Sequence, residues 1–167
     1  KALLRRYEFW IDALLCPFLS VLELEDIGFE IKLNGGFSIS SRFNYQIGEE
    51  ELDDGTKSPS RHAAPWFGTT RLTYTKNKAS IQFYTIYSGQ KSFDDLPEGE
   101  KRKAYIYAID SDGNPYSPAW YTLNFKAMYK INDHFIANAG LENITDQRYR
   151  SFSSGIVAPG RNFIILT

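Results

Sequence analysis

The most constraining feature of this 167-residue sequence is a series of segments in which apolar and polar residues alternate. Side chains of a strand point alternately to the two faces of a sheet, so this pattern predicts strands with one apolar face. The predicted strands cover 27–33, 37–47, 68–75, 79–88, 120–130, 135–142 and 161–167. An aromatic content of 16% agrees with this assignment, because Tyr and Phe favour strands. The predicted fold class is therefore all-β.

The connections between the predicted strands alternate between short and long. The short ones are turns of two to four residues; the first is Asn34-Gly35-Gly36, where Asn and Gly tolerate positive φ. The long ones span about 48–65, 89–119 and 143–160. Three structureless loops of this length are rare in a compact soluble domain. Outer-membrane barrels, in contrast, combine short periplasmic turns with longer extracellular loops. The expected architecture is an antiparallel up-and-down meander that forms part of a large transmembrane β-barrel.

Several predicted strands have the roughly 9–11 residues that a tilted strand needs to cross a bilayer. No apolar stretch approaches the roughly 18 residues of a membrane helix. Strands in lipid must close into a barrel to satisfy their backbone groups, so seven strands have to belong to a larger wall. The sequence starts at Lys1 without an evident signal peptide and stops within a predicted strand. We interpret it as a fragment at both ends.

Residues 1–26 do not fit the strand pattern and are treated as a separate segment. Apolar residues there fall near a helical spacing, and Pro17 would end such a helix. These residues are Leu3, Leu4, Tyr7, Trp10, Ile11, Leu14 and Leu15. The segment is predicted to be either a short amphipathic helix or an irregular strand pair, and residues 27–167 are predicted to be the barrel strands.

A motif near the end of the chain resembles one in a known family. The segment 140–149, Gly-Leu-Glu-Asn-Ile-Thr-Asp-Gln-Arg-Tyr, is similar to the Gly-x-Glu-Asn-(Leu/Ile)-x-Asp-x-x-Tyr motif of TonB-dependent outer-membrane receptors. Its matching residues are Gly140, Glu142, Asn143, Asp146 and Tyr149. The flanking segments 118–124 and 153–162 also resemble that family, and 61–65 resembles its Bacteroidetes-type members. The resemblance covers residues 27–167.

In physical terms the motif is a strand exit. Gly140 is expected to permit close backbone approach, and Asn143 and Asp146 are expected to satisfy local backbone donors. Arg148 is expected to pair with Asp146 or Glu142. The alternative interpretation is an ordinary turn of any β protein.

The resemblance implies a Gram-negative outer-membrane receptor for energised uptake of a scarce nutrient, such as a ferric siderophore, haem, cobalamin or a glycan. It implies extracellular long loops and, as partners, outer-membrane lipid, the remaining barrel strands and a plug domain. The plug would provide the contact with TonB and is missing from this sequence. The chain also departs from the family because it stops at Thr167 rather than at an aromatic residue. Cys16 and Pro17 are unusual for lipid-facing strands.

Other function classes lack support in the sequence. A net charge of −1 gives no reason to expect nucleic acid as a partner, and one cysteine excludes an internal disulfide framework. His62 and His134 are far apart, and no catalytic, phosphate-binding or metal-binding motif is present, so neither an enzyme nor a cofactor is expected. The loop 110–114 has calcium-like spacing, but a polar turn is favoured. The acidic run 49–54 is predicted to be a solvated loop, with divalent ions that bridge lipopolysaccharide as the alternative.

The alternation also assigns the two faces. The lipid-facing side is predicted to carry Phe37, Ile39, Phe43, Tyr45, Tyr121, Leu123, Phe125 and Tyr129. The lumenal side is predicted to carry Ser38, Arg42, Asn44, Asn124 and Lys126. Candidates for interfacial aromatic girdles are Tyr45, Trp66, Tyr87, Trp120, Tyr121 and Tyr129. The rival hypothesis is a soluble all-β binding module of the periplasm or cell surface, which would turn the apolar face inward.

Overall fold

The computed structural model describes residues 7–13, 22–61 and 63–166, and within them the chain forms eleven strands. These are β1 (Tyr7–Ala13), β2 (Leu22–Lys32), β3 (Phe37–Glu51), β4 (Lys57–Pro59), β5 (Phe67–Lys76), β6 (Ala79–Ser88), β7 (Ala108–Ile109), β8 (Pro115–Tyr116), β9 (Trp120–Lys130), β10 (Ile136–Glu142) and β11 (Asn162–Leu166). Helical structure in these residues comprises one turn of α-helix, α1 (Glu98–Lys101), and the 3₁₀ turns Asn34–Gly36 and Ala104–Ile106.

The main sheet is an antiparallel meander with the order β1-β2-β3-β5-β6-β9-β10-β11. Strand β4 pairs with the end of β3, and β7 and β8 form a separate hairpin. All seven predicted strands are present, and each pairs with the next one along the path. The prediction of an all-β meander is confirmed.

The N-terminal segment adds a strand that the spacing did not single out. Strand β1 pairs with β2 in antiparallel register, with Tyr7 opposite Ile31 and Ala13 opposite Glu25. The helical alternative is therefore wrong for Tyr7–Ala13, which forms a strand paired mainly with residues 27–31 rather than within the segment 1–26. A helix this short is marginal on its own, whereas the edge of β2 offers a full row of hydrogen-bond partners. Because β2 starts at Leu22, it runs through the predicted boundary at residue 27. The division into two segments stays a prediction, and Cys16 and Pro17 lie outside the described residues.

The short connections are tight turns at one end of the sheet. Gly36 has φ of +88°, and a Cβ at this position would collide with the carbonyl oxygen of Thr75 on β5. Asn77 takes φ of 52° between β5 and β6. Both positions need residues that tolerate the left-handed region, as the Asn-Gly-Gly and Lys-Asn-Lys sequences provide.

The long connections lie at the other end and are not structureless, contrary to the expectation. Strand β3 continues to Glu51 and forms a hairpin with β4, so part of the predicted acidic loop is strand. The connection 89–119 contains α1, a 3₁₀ turn and the β7–β8 hairpin. Backbone groups that leave the sheet still need hydrogen-bond partners, and these local elements supply them.

The buried apolar side chains of the described residues lie in the long connections rather than on the sheet. The buried apolar side chains there are Leu96 and Ala63, at 0% and 3% exposure. Apolar residues of the sheet are open to the surroundings, with Phe83 55% and Tyr121 53% exposed. We use the term cap for the three connections 52–66, 89–119 and 143–161, which carry this buried cluster.

Candidate functional site

The register of the sheet gathers the predicted lipid-facing residues on one face. Ile39 lies opposite Leu72, which lies opposite Phe83, and Phe83 lies opposite Phe125. The row continues through Leu141 to Phe163. All eight residues predicted for this side fall on the same face, because they are related by even steps along β3 and β9. The result is a continuous apolar face across the sheet.

The opposite face is polar and carries the predicted lumenal residues. Asn124 is 4% exposed, and its amide donates to the backbone oxygen of Tyr84 at 3.3 Å and to Thr122 Oγ1 at 3.1 Å. Arg71 lies over the Tyr84 ring at 5.6 Å from its centre. These side chains therefore have partners within the same face.

Aromatic residues concentrate at both ends of the apolar face. Near the cap, Trp66 packs against Phe43 and Tyr87, with ring centres 5.7 and 6.0 Å apart. Near the short turns, the rings of Phe37 and Tyr74 are 4.5 Å apart. Aromatic clusters therefore border the apolar face at both ends.

Trp120 does not belong to these aromatic clusters. It precedes Tyr121 in β9, so the strand alternation places the two residues on opposite faces. Its ring stacks on Tyr149 at 4.0 Å between centres, with 26° between the ring planes. The prediction of a girdle position for Trp120 is wrong, because the residue belongs to the polar face and packs against the cap.

Asn143 organises the strand exit at the end of β10. It is 4% exposed and takes φ of 47°. Its backbone N–H donates to Asn124 Oδ1 at 2.9 Å, and its side-chain amide donates to the oxygens of Gln147 and Pro159. Its Oδ1 accepts from the Gln147 N–H at 2.8 Å. One residue therefore ties strand β9, the exit turn and the return to β11 together, the first through its backbone and the others through its side chain.

Asp146 holds the other side of the same turn. Its Oδ1 accepts from the Arg161 N–H at 2.8 Å, and the Arg161 side chain donates to the Ile144 oxygen at 3.0 Å. The Asp146 carboxylate is thus bonded by the Arg161 backbone, and the expected ion pair of Arg148 with Asp146 or Glu142 is not formed among the described residues. A Cβ at Gly140 would make only ordinary contacts of 3.6 Å, so close approach does not explain this glycine. The assignment of the five residues as a family motif stays a prediction.

The two acidic clusters use their carboxylates in local structure. Asp110 Oδ1 accepts from the N–H groups of Asp112 and Asn114, which closes the β7–β8 turn. In the run 49–54, Glu49 pairs with Lys57 at 3.1 Å and Glu50 with Arg61 at 3.2 Å. The hydrogen bonds that Thr56 donates to Asp54 hold the pKa of that carboxyl below its usual value. The polar-turn interpretation of 110–114 fits this geometry, whereas the run 49–54 is partly strand.

A buried carboxylate in the cap was not found from the sequence. Glu100 is 4% exposed and accepts from Tyr107 Oη and Lys103 Nζ, each at 2.6 Å. Burial alone would raise the pKa of Glu100, but the hydrogen bonds from Lys103, Tyr107 and Ser153 outweigh it and lower the pKa. Burial and the Glu100 carboxylate together raise the pKa of Tyr107. The i,i+3 spacing of Glu100 and Lys103 was a sequence signal for this pair.

A second charged residue joins all three long connections. Lys91 is 9% exposed, and its ammonium donates to the Ala63 oxygen of the first connection. It also lies 5.1 Å from the centre of the Phe152 ring in the third connection. Burial lowers the pKa of Lys91. The Phe152 ring is in turn 6.3 Å from that of Tyr107, so the contacts of the cap are continuous.

The cap and the start of β9 form an open cavity of about 350 Å³ beside the strand exit. Its wall combines residues 106–108 and 117–120 of the second connection and β9 with residues 147–151 and Val157 of the third. Trp120 and Tyr149 line it, as do Arg148 and Arg150. The strand-exit motif therefore forms one side of an open cavity on the polar side of the sheet.

The described residues contain neither a metal-ligand cluster nor a helix that could span a membrane. In that part of the chain, no group of three or more His, Cys, Asp or Glu side chains is placed to hold a metal ion. No helix there is long and apolar enough to cross a membrane. His134 lies in the β9–β10 turn, where its N–H donates to Asn132 Oδ1 at 2.8 Å, and His62 lies outside the described residues.

The fold is similar to two solved structures. The copper transporter OprC matches 86% of this chain with a TM-score of 0.67 and 17% sequence identity. The siderophore receptor PiuA from Acinetobacter baumannii matches 87% of this chain with a TM-score of 0.50 and 18% identity. The chain covers 22% of each of those proteins, about a fifth of their length. No family model and no curated protein matches the sequence. At these identities the likeness establishes the fold alone.

Proposed function

We propose that this chain is part of the barrel wall of a TonB-dependent outer-membrane receptor that takes up a scarce nutrient. In this proposal the apolar face contacts outer-membrane lipid and the polar face lines the lumen. The cap lies outside the cell and the short turns lie in the periplasm. The remaining strands of the barrel, a plug domain and, through the plug, TonB are the partners that the proposal requires.

The observation that carries the proposal is the exposed apolar face, which the register keeps continuous from β2 to β11. Phe83, Phe163 and Ile165 on this face are 55%, 73% and 79% exposed. A large exposed apolar surface normally marks a contact with lipid or with another protein. A barrel wall has this face outward, whereas a soluble module would have to bury it.

Two details of the apolar face support a lipid contact. Tyr121 and Tyr129 are eight residues apart on β9, about 26 Å along the strand, which a tilt of roughly 40° shortens to about 20 Å. This spacing is of the order of the apolar band between aromatic girdles. Two polar residues on this face also satisfy each other, since Ser41 and Thr70 share a hydrogen bond of 2.9 Å. Such internal pairing is what a polar group needs where water is absent.

The two similar structures give a coarse guide to the kind of nutrient. One is a copper transporter and the other a siderophore receptor by name, so both support transport rather than catalysis. We therefore propose a metal ion or a metal chelate as the first substrates to test. The resemblance of segment 61–65 to Bacteroidetes-type receptors leads us to include haem and glycans in the same screen.

An epitope experiment on the full-length gene product tests the proposed orientation. A short tag would be inserted after Gly55 in the β3–β4 turn or after Asp133 in the β9–β10 turn. We expect antibody to label intact cells with the first tag only, and to label the second tag after the outer membrane is permeabilised. Fractionation of the cells should place both proteins in the outer membrane.

The opposite labelling pattern would overturn the orientation, and recovery of both proteins from the periplasm without detergent would favour the soluble binding module. Energised uptake needs a separate test. Accumulation of the nutrient should disappear when TonB is deleted, while binding to intact cells persists.

A further inference from the structure

We infer that the cavity in the cap is a binding site for a small anionic ligand that carries a planar ring. The two arginines would hold the anionic group, and the stacked Trp120–Tyr149 pair would hold the ring. The inference rests on the proposed function in one respect only, namely that the ligand reaches the cavity from outside the cell. It concerns binding by the chain itself and requires neither a plug nor TonB.

The cavity is already formed by the chain. Its volume of about 350 Å³ lies within the range of roughly 300–1,000 Å³ that is usual for small-ligand sites. Its wall is fixed by contacts outside it, because Tyr107 donates to the buried Glu100 and packs near Phe152. Ala158 and Tyr149 are also joined by a backbone hydrogen bond of 2.9 Å. A wall that is held in this way loses little conformational freedom when a ligand binds.

The charge of the wall selects an anion. Arg148 and Arg150 both line the cavity, and none of the described residues that line it is Asp or Glu. This local excess of positive charge contrasts with the net charge of −1 for the whole chain. Arg150 Nη1 donates to the Ile106 oxygen at 3.1 Å, which anchors the guanidinium by one of its five N–H donors. A guanidinium fork matches a carboxylate or phosphate in two parallel hydrogen bonds.

The rings of the wall select a planar group. Trp120 and Tyr149 are stacked, and both border the cavity together with the apolar side chains of Ile106 and Val157. A stacked pair that borders a cavity can extend the stack to a third ring. By its strand position Trp120 belongs to the polar face, so the cavity is on the lumenal side at the cap end. A ligand that arrives from outside the cell would meet this site before it reaches the lumen.

Calorimetry on the purified full-length protein in detergent tests the inference with 2-naphthoate as the probe. The neutral 2-naphthamide keeps the ring without the charge, and acetate keeps the charge without the ring. We expect 2-naphthoate to bind at least tenfold more tightly than either control. Arg148→Gln should weaken 2-naphthoate binding about tenfold or more, and Arg148→Lys should retain part of it. Arg71→Gln, which changes an arginine of the sheet away from the cavity, should bind like the unchanged protein.

A fluorescence measurement locates the bound ring. Tryptophan emission should be quenched by 2-naphthoate, and Trp120→Phe should lose most of the quenching while calorimetric binding persists. Equal binding of 2-naphthoate and 2-naphthamide would overturn the inference, as would unchanged binding by both Arg148 variants. Quenching that survives Trp120→Phe would place the ring elsewhere and would also overturn it. Because binding is measured in detergent, these results do not depend on whether the epitope experiment supports the proposed orientation.

Discussion

The sheet and the cap differ in which side chains they bury and which they leave exposed. On the sheet, apolar side chains such as Phe83 and Tyr121 are more than half exposed, while polar side chains such as Asn124 are buried. In the cap, Leu96 is fully buried, as in a water-soluble domain. The difference indicates that the surroundings change between the two regions. The cap buries apolar side chains by its own packing, whereas the apolar face of the sheet needs a cover that the described residues do not supply.

The largest expected effect compares one substitution in the two regions. Leu96→Ala in the cap removes a fully buried side chain and should cost about 2–5 kcal/mol of cap stability. Leu72→Ala on the apolar face changes a residue that is 45% exposed, so we expect a much smaller cost in detergent. Limited proteolysis of the cap and denaturant unfolding of each variant measure the difference. Equal costs at the two positions would contradict the contrast between the regions.

A charge placed on the apolar face gives the second effect. Phe125→Arg should cost about 2–4 kcal/mol when the protein is folded in lipid, because the residue is near the middle of the proposed membrane band. Thr73→Arg is the matched control, since Thr73 lies opposite Ser38 and Gln82 on the polar face. Refolding in lipid vesicles with a urea titration measures both costs. If Phe125→Arg had no measurable effect in this assay, the lipid assignment would be wrong.

The junction between the two regions should be sensitive to Asn143. Asn143→Ala removes three hydrogen bonds of the side chain and leaves an alanine at φ of 47°, at a cost of about 1–3 kcal/mol. Asn143→Gly relieves the backbone strain but not the loss of hydrogen bonds, so it should recover part of this cost. Hydrogen exchange of the exit turn separates the two contributions. Equal protection from exchange in the unchanged protein, Asn143→Ala and Asn143→Gly would show that Asn143 does not stabilise the exit turn.

The smallest effect concerns the buried carboxylate of the cap. The pKa of Glu100 is lowered on folding, so its stabilisation is present above the ordinary value of 4.5 and is lost as the pH falls through the lower value of the folded state. We expect Glu100→Gln to cost about 1–1.5 kcal/mol at neutral pH and to flatten the acid dependence of cap proteolysis below about pH 4.5. Tyr107→Phe is the companion variant, since it removes one hydrogen-bond donor and keeps the ring. If the pH dependence of cap proteolysis were unchanged in Glu100→Gln, the Glu100 carboxylate would not be the group that causes it.

The two regions also differ in how much the sequence predicts. The sheet follows from a local pattern, because alternation over a few residues fixes both the strand and its faces. The same rule places Trp120 and its neighbour Tyr121 on different faces of the sheet, so the position of Trp120 on the polar face could have been predicted from the sequence. The helical interpretation of residues 1–26 failed over β1 because a few apolar residues near a helical spacing do not reveal a pairing with β2.

The cap could not be predicted in the same way, because its stability depends on contacts between distant loops. Lys91 meets Ala63 and Phe152, and the Glu98 N–H donates to Ser58 Oγ at 3.1 Å across forty residues of chain. Such contacts depend on how the meander brings the loops to one end of the sheet. The polar residues of the strand exit were singled out by the motif, but their partners, such as Arg161, were visible only in the folded chain.

The most direct test of the central claim compares two neighbouring positions on β6. In full-length protein with Cys16 and any cysteine outside this sequence changed to Ser, a cysteine would replace either Phe83 on the apolar face or Gln82 on the polar face. Each would carry a bimane label in vesicles that contain brominated lipid, which quenches fluorophores in contact with acyl chains. The account predicts strong quenching at position 83 and little at position 82. Strong quenching at 82, or none at either position, would contradict the assignment of the apolar face to lipid.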